Sequence, residues 1–175
     1  MALVIDSNIV GVIGANGASI AKEIVGGASG TVFWRAEQYI FQNGSLASGI
    51  SLSNLTNNGS TLHCGVGADN DSDASTQCSI NGIDLTNYSK MDIVLDYNAG
   101  ANYGSGSITC GIDGYWNGRT LPESYDRTPT TLTFDISSHT GTHFLGFGLY
   151  AENNSSEPTW GAWANVWIKE IRLYN

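Results

Sequence analysis

The stretch KMDIVLDYN (90–98) decides the fold class. Met91, Ile93, Leu95 and Tyr97 fall on one face, and Asp92, Val94 and Asp96 on the other. A repeat of two belongs to a strand with one side on a core. Toward the C-terminus, NAGANYGSGS (98–107) reads as a glycine-rich turn, and SITCGIDGYW (107–116) resumes the alternation through Ile108, Cys110 and Ile112. TLTFDIS (131–137) places Leu132, Phe134 and Ile136 on one face. HFLGFGLYAE (143–152) is almost continuously apolar, which predicts a central strand covered on both sides. VWIKEIRLYN (166–175) reads as a closing strand. Toward the N-terminus, TVFWRA (31–36), YIFQ (39–42), SGISLSNL (48–55) and TLHCGVG (61–67) read as strands, punctuated by turns at QNGS (42–45) and NNGS (57–60). ADNDSDASTQ (68–77), LPESYDRTPT (121–130) and ENNSSEPTWGAWAN (152–165) read as loops. Nine or ten strands with turn signals every 8–14 residues, and no helical period beyond two turns, predict an all-β antiparallel sandwich of the jelly-roll type.

The first thirty residues have a different texture. GVIGANGASIAKEIVGGASG (11–30) mixes small and apolar residues, and its two helical turns are too short to stand alone. We divide the chain into an N-terminal arm or docking segment at 1–30 and a sandwich domain at 31–175. The arm is read either as a strand and turn tucked onto the sandwich or as an adaptor for a larger assembly.

Composition narrows the function. The 175 residues carry a net charge of −9 with only seven Lys and Arg. A nucleic-acid surface needs clustered cations to displace counterions from phosphates, so no nucleic-acid partner is expected. No apolar run approaches the roughly 20 residues of a membrane span, so no membrane insertion is expected. The N-terminal stretch MALVIDSNIVGVIG has no basic region and does not read as a secretory signal. Cys64, Cys78 and Cys110 lack metal-ligand spacing. We expect reduced thiols, with a Cys64–Cys78 disulfide as the alternative.

Three segments carry a resemblance. NGIDLTNYSKMDIVLDY (81–97), TLTFDISSHTGTHFLGFGLY (131–150) and VWIKEIRLYN (166–175) resemble strand and hairpin patterns of carbohydrate-binding-module-like jelly rolls. Such modules occur in glycan-active enzymes and in structural proteins of tailed bacteriophages. With the Gly/Ala-rich arm, the resemblance implies a non-enzymatic virion protein, either a capsid decoration or a tail accessory. It implies other virion proteins as partners, a surface position on the particle and contact with host-surface glycans. Exposed edges on a lone sandwich are hazardous, so a trimer or docking on a lattice is expected. The alternatives are a free-standing bacterial carbohydrate-binding module and a purely structural cementing protein.

Candidate site residues follow from chemistry. Sugar rings lay their C–H faces on aromatic rings while polar neighbours bond the hydroxyls. IDGYWNGR (112–119) supplies Tyr115, Trp116, Asn117 and Arg119 together, and the loop before the last strand supplies Trp160 and Trp163. Trp34 and Trp167 lie in strands and are read as core residues. Asp69, Asp71 and Asp73 set three oxygen donors two residues apart, the opening of a calcium loop. Ala74 and Ile80 stand where an EF-hand needs Gly and Glu, so any calcium would be structural and draw ligands from elsewhere; no other cofactor is expected. His63, His139 and His143 are scattered, and no hydrolase motif occurs. Asp92 with Asp96, and Glu123 with Asp126, read as solvated carboxylates rather than a glycosidase pair.

Overall fold

The computed structural model describes residues 37–157 and 159–175, and all side chains among them except that of Asn117. The arm at 1–30, the strand expected at 31–36 and Trp34 lie outside the described residues. The described residues form twelve strands: β1 (Glu37–Gln42), β2 (Ser45–Leu46), β3 (Ser51–Ser53), β4 (Thr56–Asn57), β5 (Leu62–Asp69), β6 (Ser72–Asp84), β7 (Lys90–Ala101), β8 (Gly104–Ile112), β9 (Gly114–Leu121), β10 (Ser124–Asp135), β11 (Thr142–Asn153) and β12 (Gly161–Tyr174). Among them there is no helix.

The strands build two antiparallel sheets. The first runs β10-β7-β12-β1-β2, with β5 also on β12 and β4 on β5; the second runs β3-β6-β11-β8-β9. From β5 onward the chain alternates between the sheets at most connections. This is the expected jelly-roll sandwich. The core lies between the sheets, where Ile93, Leu95, Val166, Ile168 and Ile171 of the first face Ile80, Ile108, Leu145, Phe147 and Leu149 of the second. Burying side chains of this size contributes about 1.5–3 kcal/mol each.

β12 is the longest strand and carries one irregularity. Its register on β7 slips between Ile168 and Glu170. Ala162, Ala164, Val166 and Ile168 face inward at even numbers; Ile171 and Leu173 face inward at odd ones. One inserted residue, Lys169, restores the correct face, as a β-bulge does. The bulge also divides the partners on one side: β5 pairs with the stretch up to Ile168, and β1 with the stretch from Glu170.

The two sheets converge at one end. A Cβ added at Gly106 on β8 would stand 2.3 Å from the backbone nitrogen of Gly100 and from the carbonyl oxygen of Trp163, both in the opposite sheet. Ala68, Ala101, Ala151 and Ala162 fill the same narrow end. Beside it β5 and β6 join through Asn70 and Asp71, both at positive φ (55° and 53°), the pair that a type I′ turn requires.

Several expected loops are shorter than their sequences suggested. Most of ADNDSDASTQ belongs to β5 and β6 around that two-residue turn, most of LPESYDRTPT to β10, and Gly161 onward to β12. The polarity that reads as loop belongs instead to outward-facing strand positions. Asp92 and Asp96 also differ from expectation: they are buried, at 9% and 8% exposure. Cys64, Cys78 and Cys110 are buried free thiols.

The narrow end gives a direct test. Gly106→Val should lower stability by about 1–3 kcal/mol, because the added carbons meet backbone that cannot rotate away. Gly67→Ala should be nearly silent, since its Cβ would meet only the Ala162 carbonyl at 3.5 Å. Thermal unfolding of the two variants checks the contrast.

Candidate ligand-binding face

The outer side of the first sheet collects aromatic and amide side chains in register. On β12, Trp163, Asn165 and Trp167 alternate with the core residues and point outward. Trp167 pairs with His63 of β5 and Asp96 of β7; Asn165 pairs with Gly65 and Asn98; Trp163 pairs with Gly67 and Gly100. Three rows of three therefore lie side by side across the sheet. Trp163 and Trp167 stand about 13 Å apart along the strand, at four residues of about 3.3 Å each.

Each row has its own packing. In the first, the Trp167 ring stacks on His63 at 5.1 Å and 20°, and the Arg127 guanidinium covers it at 4.3 Å. Arg127 and Lys169 both bind Asp96, at 2.9 and 2.6 Å. Trp167 is thus an outer-face residue held between a ring and a cation, and not the core residue that its strand position suggested. In the second row, the Asn165 amide donates to the Asn98 side-chain oxygen at 3.0 Å. A Cβ on Gly65 would lie 2.1 Å from Asn165 Oδ1 and 3.3 Å from His63 Nε2. His63 Nε2 is buried and has no hydrogen-bond partner among the described residues.

The third row is the most open. Three ring atoms of Tyr125 lie 3.5–3.6 Å from where a Gly100 Cβ would be, so the ring rests on that glycine. Its hydroxyl donates to the Ala101 carbonyl at 2.9 Å. The residue remains 60% exposed. Trp163 meets it edge-on at 5.8 Å and 74°. A flat ring, an upright ring and an adjacent amide pair form an open corner.

The carboxylates on this face are committed to cations. Burial opposes ionisation of Asp92, but Thr133, Arg172 and Tyr174 together hold its carboxyl below the usual carboxylate range. Burial likewise opposes ionisation of Asp96, and Lys169 and Arg127 hold it low. Neither is a proton donor near neutral pH.

The structure separates the residues expected to form one site. Trp163 lies on β12 rather than in a loop, on the first sheet's outer face. Trp160 sits at the narrow end, stacked on Tyr103 at 6.1 Å. Tyr115 and Trp116 lie on the outer face of the second sheet, above Gly146 and Gly148. Arg119 holds its guanidinium 5.1 Å over the Phe134 ring at the sandwich edge. Asn117 belongs to β9, with its side chain outside the described ones. Asp69 and Asp71 flank and form the type I′ turn, while Asp73 lies on β6 opposite Glu152. No group of three or more metal-ligating side chains occurs among the described residues. Sequence reasoning missed Tyr125, Asn98 and Asn165. Tyr125 lay in an assumed loop, and the two asparagines acquire meaning only through register.

No protein-family model matches the sequence, and no curated protein matches it. Solved structures similar to it include a family 29 carbohydrate-binding module complexed with cellulohexaose, 12% identical over 80% of this chain and 91% of that one, with a TM-score of 0.46. The N-terminal cellulose-binding domain of a Cellulomonas fimi β-1,4-glucanase is 13% identical over 71% and 87%, with a TM-score of 0.39. A family 28 module specific for non-crystalline cellulose is 9% identical over 78% and 86%, with a TM-score of 0.38.

Next to Phe144, on which Tyr115 packs, lies an aspartate–histidine pair with a pH signature. His143 Nδ1 is 2.6 Å from an Asp113 carboxylate oxygen and Nε2 is 3.1 Å from the Thr140 carbonyl. Both partners only accept, so the protonated ring, which donates from both nitrogens, satisfies both at once. Asp113, with Thr140 behind it, holds His143 above its usual value. Burial opposes ionisation of Asp113, but His143 and the Phe144 amide keep it low. The raised His143 stabilises fully below about pH 6.5 and loses that contribution as pH rises through its folded value. The lowered Asp113 stabilises above about pH 3.9 and loses it as pH falls. The pair should therefore be firmest between those limits. Thermal melts from pH 5 to 9 should show a decline above 6.5 that His143→Gln removes.

Proposed function

We propose that the chain is a non-enzymatic glycan-binding module, and that the outer face of its first sheet receives a neutral sugar chain. One observation carries this reading. Tyr125 lies flat on Gly100 with its outer face open, Trp163 stands beside it at 74°, and the Asn98–Asn165 pair adjoins them. Flat rings match the C–H faces of pyranose sugars, and neighbouring amides exchange hydrogen bonds with hydroxyls. The rings are already in place, so little side-chain freedom is lost on binding. The commitment of Asp92 and Asp96 to cations supports binding without hydrolysis.

The setting we propose is the surface of a phage particle, where many copies would turn weak sites into useful avidity. The resemblance and the acidic, lightly charged composition support it. The same face would serve a free-standing module. Mass spectrometry of purified particles separates the two settings: peptides of the chain support the first, and their absence leaves the second.

A glycan array followed by titration calorimetry tests the face. Tyr125→Ala and Trp163→Ala should each weaken binding about tenfold or more, which is about 1.4 kcal/mol. Tyr125→Phe should lose less, because the ring remains. Binding left intact by both alanine variants would remove the sugar from this face.

A further inference from the structure

We propose that the second sheet carries another sugar platform, centred on Trp116, which makes the chain bivalent; this rests on the glycan-binding reading above. The observation behind it is how Trp116 is held. Gly111 pairs with Gly114, yet the neighbouring Cys110 pairs with Arg119. The four residues between, Tyr115 to Gly118, leave the ladder and arch over the sheet's outer face. Glycines make room beneath them. A Cβ at Gly148 would stand 2.6 Å from the Trp116 ring, and one at Gly146 3.0 Å from the Tyr115 ring. The Thr109 hydroxyl donates to the Tyr115 carbonyl, and Tyr115 packs on Phe144 at 5.4 Å. The arch is therefore built into the fold. Trp116 is nevertheless 46% exposed.

What surrounds the ring matches a neutral polyol. Next along β11 comes Tyr150, flanked by Ser75 and Ser107, and then Glu152, flanked by Asp73 and Ser105. Trp116 and Tyr150 supply apolar ring surface. Asp73 and Glu152 face each other across strands, a pairing that costs stability. Neither takes part in an ion pair among the described residues. They offer acceptors to hydroxyl protons and would repel an anionic polymer. The two platforms lie on opposite outer faces, so one short oligosaccharide cannot fill both. A polymer can join two copies of the chain.

Calorimetry with cellohexaose, maltohexaose and mannohexaose tests this. The wild type should take up two molecules per chain of at least one of them. Trp116→Ala should leave one site of unchanged affinity, with Trp116→Phe retaining part of the lost one. Gln77→Ala, which alters only an exposed side chain in the adjoining row, should weaken the same site without changing the melting temperature. Turbidity with the corresponding soluble polysaccharide should appear for the wild type and vanish for Trp116→Ala and for Tyr125→Ala. Binding to the polymer should exceed binding to the hexamer by about a hundredfold or more in the wild type only. A single site untouched by Trp116→Ala and Gln77→Ala overturns the second platform and leaves the first. One site lost with Trp116→Ala and none with Tyr125→Ala or Trp163→Ala overturns the first and leaves the second. No binding of any hexamer overturns both.

Discussion

The register of β12 is the constraint on which the first sheet depends. This strand pairs along nearly its whole length with β7 on one side. On the other side it divides its length between β5 and β1. The extra residue at Lys169 makes that division possible. Without it, Ile171 and Leu173 would turn outward, and the β1 half of the sheet would lose its core face. The inserted lysine also reaches Asp96 at 2.6 Å, so the bulge supplies one of the two cations that hold that carboxylate. A single local irregularity thus sets core, edge and surface at once.

Glycine works on both faces of the sandwich by opposite means. At Gly100 it gives Tyr125 a floor to lie on, and at Gly106 it lets the sheets meet. At Gly146 and Gly148 it lets a strand's own continuation fold back over the sheet. In each case the missing Cβ is replaced by a ring or by backbone, so packing stays dense. The aromatic residues are rigid because the glycines beneath them are small. Low charge and high glycine content, which look like loop composition, belong to strands with crowded outer faces.

Much of the fold was legible in the sequence. The alternation of Met91, Ile93, Leu95 and Tyr97, and the apolar run of β11, were read correctly because burial imposes a period of two or a continuous run. The cover over the second side of β11 was foreseen, though not its source, the arch of 115–118. The loops were overestimated because Asp, Asn and Ser at outward strand positions resemble turn composition. The candidate site was only partly legible. Trp116, Trp160 and Trp163 stand out as rings, but one sequence gives no cross-strand register. Nothing in it shows that Trp163 shares a row with Gly67 and Gly100, or that Tyr125 settles on the latter.

The placement of Trp163 and Asn165 on β12 has a mechanical meaning. Hydrogen bonds between antiparallel strands run perpendicular to the strand direction. A pull along β12, transmitted through a ligand seated on its side chains, loads the bonds to β7, β5 and β1 together, as shear. The same pull along an edge strand such as β10 is carried by a single ladder, the one to β7. Trp163 and Asn165 therefore sit on the doubly paired strand of the first sheet, while Tyr125, on the edge strand β10, passes its share of the same load to β7 alone.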